Sequence, residues 1–242
     1  QAITGVGFQP DFVWAKKRSA VQDHIINDSV RGVQKELVPN NTSTEYTTSN
    51  GLSSFDSDGF TTGANNALNT SGQTYVAWNF KAGGAAVTNT DGTITSQVSA
   101  NTEAGFSIVS YTTQSSGTAT VGHGLNVEPN IVLVKTTGVA DSWRMYHSSL
   151  GANYQIFLNL TNAAGVTANQ WNNTTPTSSV FSLGTDNAGS YTTIAYCFAE
   201  VEGFSNFGSY VGAGYPSTVS VVIGFEPAFV MIKASNLDRN WV

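Results

Sequence analysis

The run GFQPDFVWAKK at residues 7–17 returns as GLNVEPNIVLVKT at 124–136 and again as GFEPAFVMIKA at 224–234. Pro10, Pro129 and Pro227 align, and Lys16, Lys135 and Lys233 with them, at spacings of 119 and 98 residues. Self-similarity at such a period marks one supersecondary unit used several times. Within each copy the apolar residues alternate. Phe12, Trp14 and Lys16 fall on one face and Val13 and Ala15 on the other, and Ile131, Leu133 and Lys135 repeat this opposite Val132 and Val134. A period of two is the period of a strand. Apolar residues on both faces predict a central strand covered on two sides.

Other landmarks keep the same register. Gly32 matches Gly151, Phe60 and Gly63 match Phe181 and Gly184, and Val76 to Phe80 matches Ile194 to Phe198. Gly105-Phe106-Ser107 matches Gly203-Phe204-Ser205, and Trp143 matches Trp241. Further strands are predicted at 106–112, 143–147, 154–160, 180–183 and 192–199, separated by turn-forming runs such as NNTSTEYTTSNG and TANQWNNTTPTS. No segment carries a helical stripe of useful length. Many short strands in a unit of this size predict an all-β fold built from tandem antiparallel β-sandwiches of jelly-roll or concanavalin A-like type. The expected division is a first repeat at 1–84 lacking its opening strand, a linker of small and hydroxylated residues at 85–104, a second repeat at 105–202, and the start of a truncated third at 203–242.

Composition narrows the function classes. The chain has 242 residues, 40% of them apolar and only 11% charged, against about 25% charged in an ordinary soluble domain. Ser, Thr and Asn supply roughly a third of the residues and take the place of charge on the surface. Ten basic against sixteen acidic side chains give a net charge of −6, and the basic ones are scattered. That pattern lacks the cationic footprint needed for nucleic acid or an anionic membrane, so neither is expected as a partner. A lone cysteine, Cys197, excludes an intrachain disulfide. No apolar run approaches the length of a membrane span, and the start QAITGVGFQP has neither the basic region nor the apolar region of a signal peptide. Without an initiator Met, the sequence reads as a processed or internal piece of a longer chain.

YVAWNFKAGG, NTDGTITSQVSAN, AGFSIVSYT, GHGLNVEPNIVLVK, YHSSLG, SSVFSLGT and IAYCFAEVEGFSNFGSY together resemble a tandem module of tail-fibre and other virion structural proteins of marine bacteriophages, cyanophages included. The similarity covers nearly the whole chain. It implies a concanavalin A-like sandwich displayed on a virus particle, at its surface or tail, without a defined catalytic centre. The implied role is that of a non-enzymatic virion protein in a tail fibre or surface appendage. Its partners would be other virion subunits, in a homo-oligomer, and a host cell-surface glycan. A capsid decoration protein binding only other virion subunits and a glycan depolymerase are the alternatives.

Residues with chemistry in them are few, and no cofactor is expected. His24, His123 and His147 do not sit at zinc-ligand spacings, and the repeat puts Trp143 and Asp28 where two of them would recur. Asp56-Ser57-Asp58-Gly59 opens like a calcium loop, but no distal acid follows and the second repeat has lost both carboxylates, so Asp56 and Asp58 are weak metal candidates and read better as turn residues. Glu200 and Glu202, two apart on an expected strand, suggest a paired-carboxylate glycosidase, yet the matching first-repeat residues are Ala82 and Gly84. Trp14, Trp78 and Trp143 lie on apolar strands and are expected in the core. Trp171, in the polar loop NQWNNTT, is the expected surface aromatic, and with Asn172 and Asn173 it forms the candidate ligand-binding site.

Overall fold

The computed structural model describes residues 1–242 and is all-β, with several antiparallel sheets. The first eighty residues form β1 (Ala2–Thr4), β2 (Phe12–Lys17), β3 (Ile25–Asp28), β4 (Lys35–Glu36), β5 (Tyr46–Thr47), β6 (Leu52–Asp56), β7 (Gly59–Thr62) and β8 (Tyr75–Phe80). There follow β9 (Val87–Asn89), β10 (Ser96–Asn101), β11 (Phe106–Thr112), β12 (Ala119–Gly122) and β13 (Ile131–Thr136). The last five are β14 (Arg144–His147), β15 (Tyr154–Phe157), β16 (Gly165–Val166), β17 (Val180–Leu183) and β18 (Thr192–Phe198). The single short helix is a turn of 3₁₀ at Thr185–Asn187.

Two central strands organise the chain, and both are the predicted Lys-ended runs. β2 lies between β3 and β8, with Phe12 opposite Asp28 on one side and Phe80 on the other. β13 lies between β14 and β18, with Ile131 opposite His147 and Phe198. These partners stand at matching positions in the aligned sequence, Asp28 with His147 and Phe80 with Phe198. A small second layer covers one face of each sheet. β1, β7 and β6 do this for the first unit, enclosing Val13, Ala15, Ile25, Leu52 and Phe60. The ribbon β12–β17 does it for the second, enclosing Val109, Val121, Val132, Val134, Phe181 and Ala195. The opposite faces of the two sheets meet in a shared core of Phe12, Ile26, Leu37, Phe106, Leu133, Trp143 and Tyr196. Both faces of β2 and β13 are therefore covered, as their alternation requires.

Two expectations are corrected. The stretch 85–104 is not a linker: it supplies β9 and β10, the edge of an eight-stranded sheet in the order β16-β15-β14-β13-β18-β11-β10-β9. Asp11 Oδ2 accepts from the Ala82 and Gly84 amides, and Ser99 Oγ accepts from Gly83, so the passage from first to second unit is fixed at several points. Residues 203–242 hold no strand, although 224–234 reads as one. β2 and β13 each have a hydrogen-bonded strand on both sides, whereas residues 228–234 keep a single reciprocal pair, Ile232 with Val242, on one side. One such pair does not make a ladder, so the segment lies in irregular form against the rest.

Candidate functional site

Trp171, expected at the surface, lies in the core instead. Trp171 is 2% exposed and packs edge-on to Tyr146 inside the second unit's core, ring centroids 6.0 Å apart. A loop rich in Asn and Thr can still bury one aromatic when its backbone folds over a sheet, and the sequence pattern carried no sign of that. Asn172 and Asn173 are exposed and adopt left-handed backbone, φ 50° and 48°, beside the buried indole.

The acidic candidates have local tasks. Asp58 accepts from the Gly5 and Gly7 amides at 3.0 and 2.7 Å, pinning the loop after β1, and Asp56 accepts from Thr61 Oγ1 at 2.7 Å. These hydrogen bonds to the charged form hold both carboxyls below the usual range. β18 ends at Phe198, so Glu200 and Glu202 do not share a strand face as expected; Glu200 accepts from the Asn206 side-chain amide instead. No three acids, histidines or cysteines gather where they could hold a metal ion. No helix is long and apolar enough to cross a membrane.

The histidines are structural. His123 is buried, takes the Leu125 amide on Nδ1 and meets Thr177 O through Nε2 at 3.1 Å. Burial lowers its pKa, and that of His24 and His147. Cys197 is enclosed in the core, where burial pushes its thiol up to about 12, too high for a nucleophile near neutrality.

The most elaborate polar geometry lies between units. Asp28, with a fully buried side chain, accepts from Arg31 Nε at 2.6 Å, from the Val30 and Arg31 amides, and from Tyr196 Oη of the second unit at 2.6 Å. Arg31 reaches on to Glu45. Burial opposes the Arg31 charge, but Asp28 outweighs it, supported by Glu45, and the guanidinium pKa is raised.

Beside this cluster the second unit sits on the first through hydrogen bonds to main chain. Lys135 Nζ donates to Thr42 O at 3.3 Å and to Asp141 O at 2.9 Å. The Asp141 amide donates to Thr42 O at 3.0 Å, and the Glu45 amide to Thr137 O at 2.9 Å. Trp143, fully buried, donates its indole N–H to Val38 O at 2.9 Å.

The same set recurs further along. Lys233 Nζ donates to Thr161 O and to Arg239 O. The Arg239 amide donates to Thr161 O at 2.8 Å, the Ala164 amide to Ser235 O at 2.8 Å, and Trp241 Nε1 to Phe157 O at 2.9 Å. Every residue on the side of Val38, Thr42 and Glu45 has moved by 119 and every residue on the side of Lys135, Thr137, Asp141 and Trp143 by 98, the spacings of the sequence repeat. Residues 203–242 therefore seat on the second unit as the second seats on the first, strand or no strand. The sequence displayed this signal in the aligned lysines and the pair Trp143 and Trp241, but its meaning needs the acceptor carbonyls, which no side chain announces.

Residues 1–242 match, over their whole length, the family described as a domain of unknown function, DUF7483. No curated protein and no solved structure matches the chain.

Proposed function

The chain belongs to the DUF7483 family, and we propose that it is a non-enzymatic structural component of a bacteriophage particle, a rigid segment of a tail fibre or related surface appendage. The observation that carries this reading is the repeated seat: the main-chain hydrogen bonds that fix one unit to the last recur at the next. A chain built this way spends its most specific contacts on holding units in a fixed relation, which suits a load-bearing appendage. The sparse charge agrees with a surface that loses little when salt screens it. Asp56, Asp58 and Glu200 are tied up in local hydrogen bonds, and this favours contact over catalysis.

Host contact is assigned to exposed polar loops, with Asn172, Asn173 and the threonines that follow as the leading candidates; Trp171 anchors that loop from below. Immunogold labelling of the virus particle that carries the chain is expected to mark the tail or its appendages. Gold at regular points over the shell would make the protein a capsid decoration, and an unlabelled particle would remove the virion reading. For the glycan, the N172G/N173G double variant, which removes both amides and keeps a residue suited to left-handed backbone, should weaken adhesion to host polysaccharide at least tenfold while its thermal midpoint changes little. Equal adhesion by variant and parent would clear this loop of the role.

A further inference from the structure

A polar pocket is built twice in the chain, with opposite chemistry. β4 pairs with β5 as β15 pairs with β16, Glu36 opposite Tyr46 and Gln155 opposite Gly165. The Thr48 amide donates to Gln34 O as the Thr167 amide does to Asn153 O, and the Gly63 amide to Gly51 O as the Gly184 amide to Gln170 O. Glu36, Tyr46, Thr48, Gly51 and Asn65 of the first unit therefore stand where Gln155, Gly165, Thr167, Gln170 and Asp186 stand in the second.

In the first unit the pocket closes around an anion. Glu36 is buried, Asn65 Nδ2 donates to its Oε1 at 2.9 Å, and the hydroxyls of Tyr46 and Thr48 lie against the same carboxylate. Gly51 leaves it room, since a Cβ there would run into Glu36 Oε1. In the second unit each of these donors is lost or turned away. Gly165 replaces Tyr46, the acceptor Asp186 replaces Asn65, and Thr167 Oγ1 donates to Asp186 Oδ2 at 3.4 Å. Gln170 fills the room that Gly51 leaves, so its side chain lies beside that of Gln155.

Two amide oxygens are left there, Gln155 Oε1 and Gln170 Oε1, both buried and neither with a hydrogen-bond donor. Turning the amide does not relieve Gln170. Its Nε2 donates to Asn187 Oδ1 at 2.8 Å, and Asn187 is itself fixed, because its Nδ2 donates to Gln170 O and Gly184 O. Gln170 is fully buried, and a buried carbonyl oxygen without a partner is costly. Asp186 is exposed and opens the pocket to solvent. Oxygens held on three segments, one of them charged and none of the buried ones met by a donor, suit a hard cation.

We propose that Gln155 Oε1, Gln170 Oε1 and the Asp186 carboxylate bind a calcium ion, with water completing its shell. Calcium accepts about six to eight oxygens in flexible geometry, whereas magnesium demands a near-ideal octahedron and dehydrates reluctantly. A single carboxylate places the affinity in the weak range, about 0.1–1 mM. The ion ties β15 to the loop before Trp171 and to the turn after β17. The claim is independent of where the protein works.

Calorimetric titration of the 242-residue chain with calcium chloride at constant ionic strength tests it. Saturable binding of one ion is expected, with a thermal midpoint that rises with calcium and not with magnesium at the same concentration. Asp186→Asn, an exposed change that installs the first unit's residue, should weaken binding at least tenfold. Gln155→Glu adds a second carboxylate and should tighten it at least tenfold, and any stability this variant loses should return on adding calcium. No saturable heat up to about 10 mM calcium, ten times the weakest affinity expected, overturns the site. Equal binding by Asp186→Asn and parent, or a Gln155→Glu variant whose midpoint ignores calcium, overturns it as well.

Discussion

Lys135 is the residue on which the join between the first two units turns. Its side chain is buried, and burial lowers the ammonium pKa from 10.5 to about 8, against an opposing pull from Asp141. A lysine depressed in the folded state binds fewer protons there than in the unfolded chain, so unfolding takes up a proton between those two values. The thermal midpoint is therefore expected to rise from about pH 8 to about pH 9, above which the raised Cys197 thiol pulls the other way, the amine still donating to Thr42 O and Asp141 O when neutral. Lys135→Met should flatten that slope in a calorimetric series, and an unchanged slope would remove Lys135 as its source. The histidines act at the other end of the scale: all three are depressed by burial, so stability is lost as the pH falls below about 6.5. Residue identity was legible only in part. The alternation placed Phe12 and Trp14 on one face and Val13 and Ala15 on the other, as their separate cores bear out. Trp171 was misplaced, because loop composition says nothing about what a loop folds over.

At the scale of elements, strands whose faces differ in size and polarity were read well. The expected 106–112 and 180–183 coincide with β11 and β17, and 192–199 ends one residue beyond β18. Failure came where small residues hide the period: Ser96, Val98 and Ala100 share a face of β10, yet the run reads as a linker. The matched glycines show why the β17 end is so constrained. A Cβ on Gly63 would stand 2.5 Å from Asn50 O, and one on Gly184 would stand 1.8 Å from Asn169 O. The two asparagines are themselves one repeat apart. Both obstacles are main chain, so the strand end cannot make room cheaply. Gly184→Ala should destabilise the protein by about 1–3 kcal/mol, measured by denaturant titration. A shift of a few tenths would mean that the loop at Asn169 gives way.

For the whole molecule, the balance of forces lies with packing and main-chain hydrogen bonds. The structure holds one ion pair buried on both sides, Arg31 with Asp28, and three others that are at least partly exposed on one side. Removing one member of a buried pair costs about 3–5 kcal/mol, while exposed pairs contribute about 0–1 kcal/mol each. Unfolding free energy should thus change by less than about 1 kcal/mol between about 0.1 M and about 1 M sodium chloride, since the Debye length is already near 10 Å at the lower figure. A change of several kcal/mol in equilibrium unfolding would contradict this.

Where one unit rests on another, Val38, Thr42, Phe157 and Thr161 contribute peptide oxygens and no side-chain functional group. Mutational drift on that side leaves the acceptors intact so long as the backbone path survives, whereas the reach of lysine and the ring nitrogen opposite have few substitutes. Neighbouring repeats can accordingly diverge in amino-acid identity without losing the ability to recognise each other, and this chain already does so, with valine at one receiving position and phenylalanine at the next.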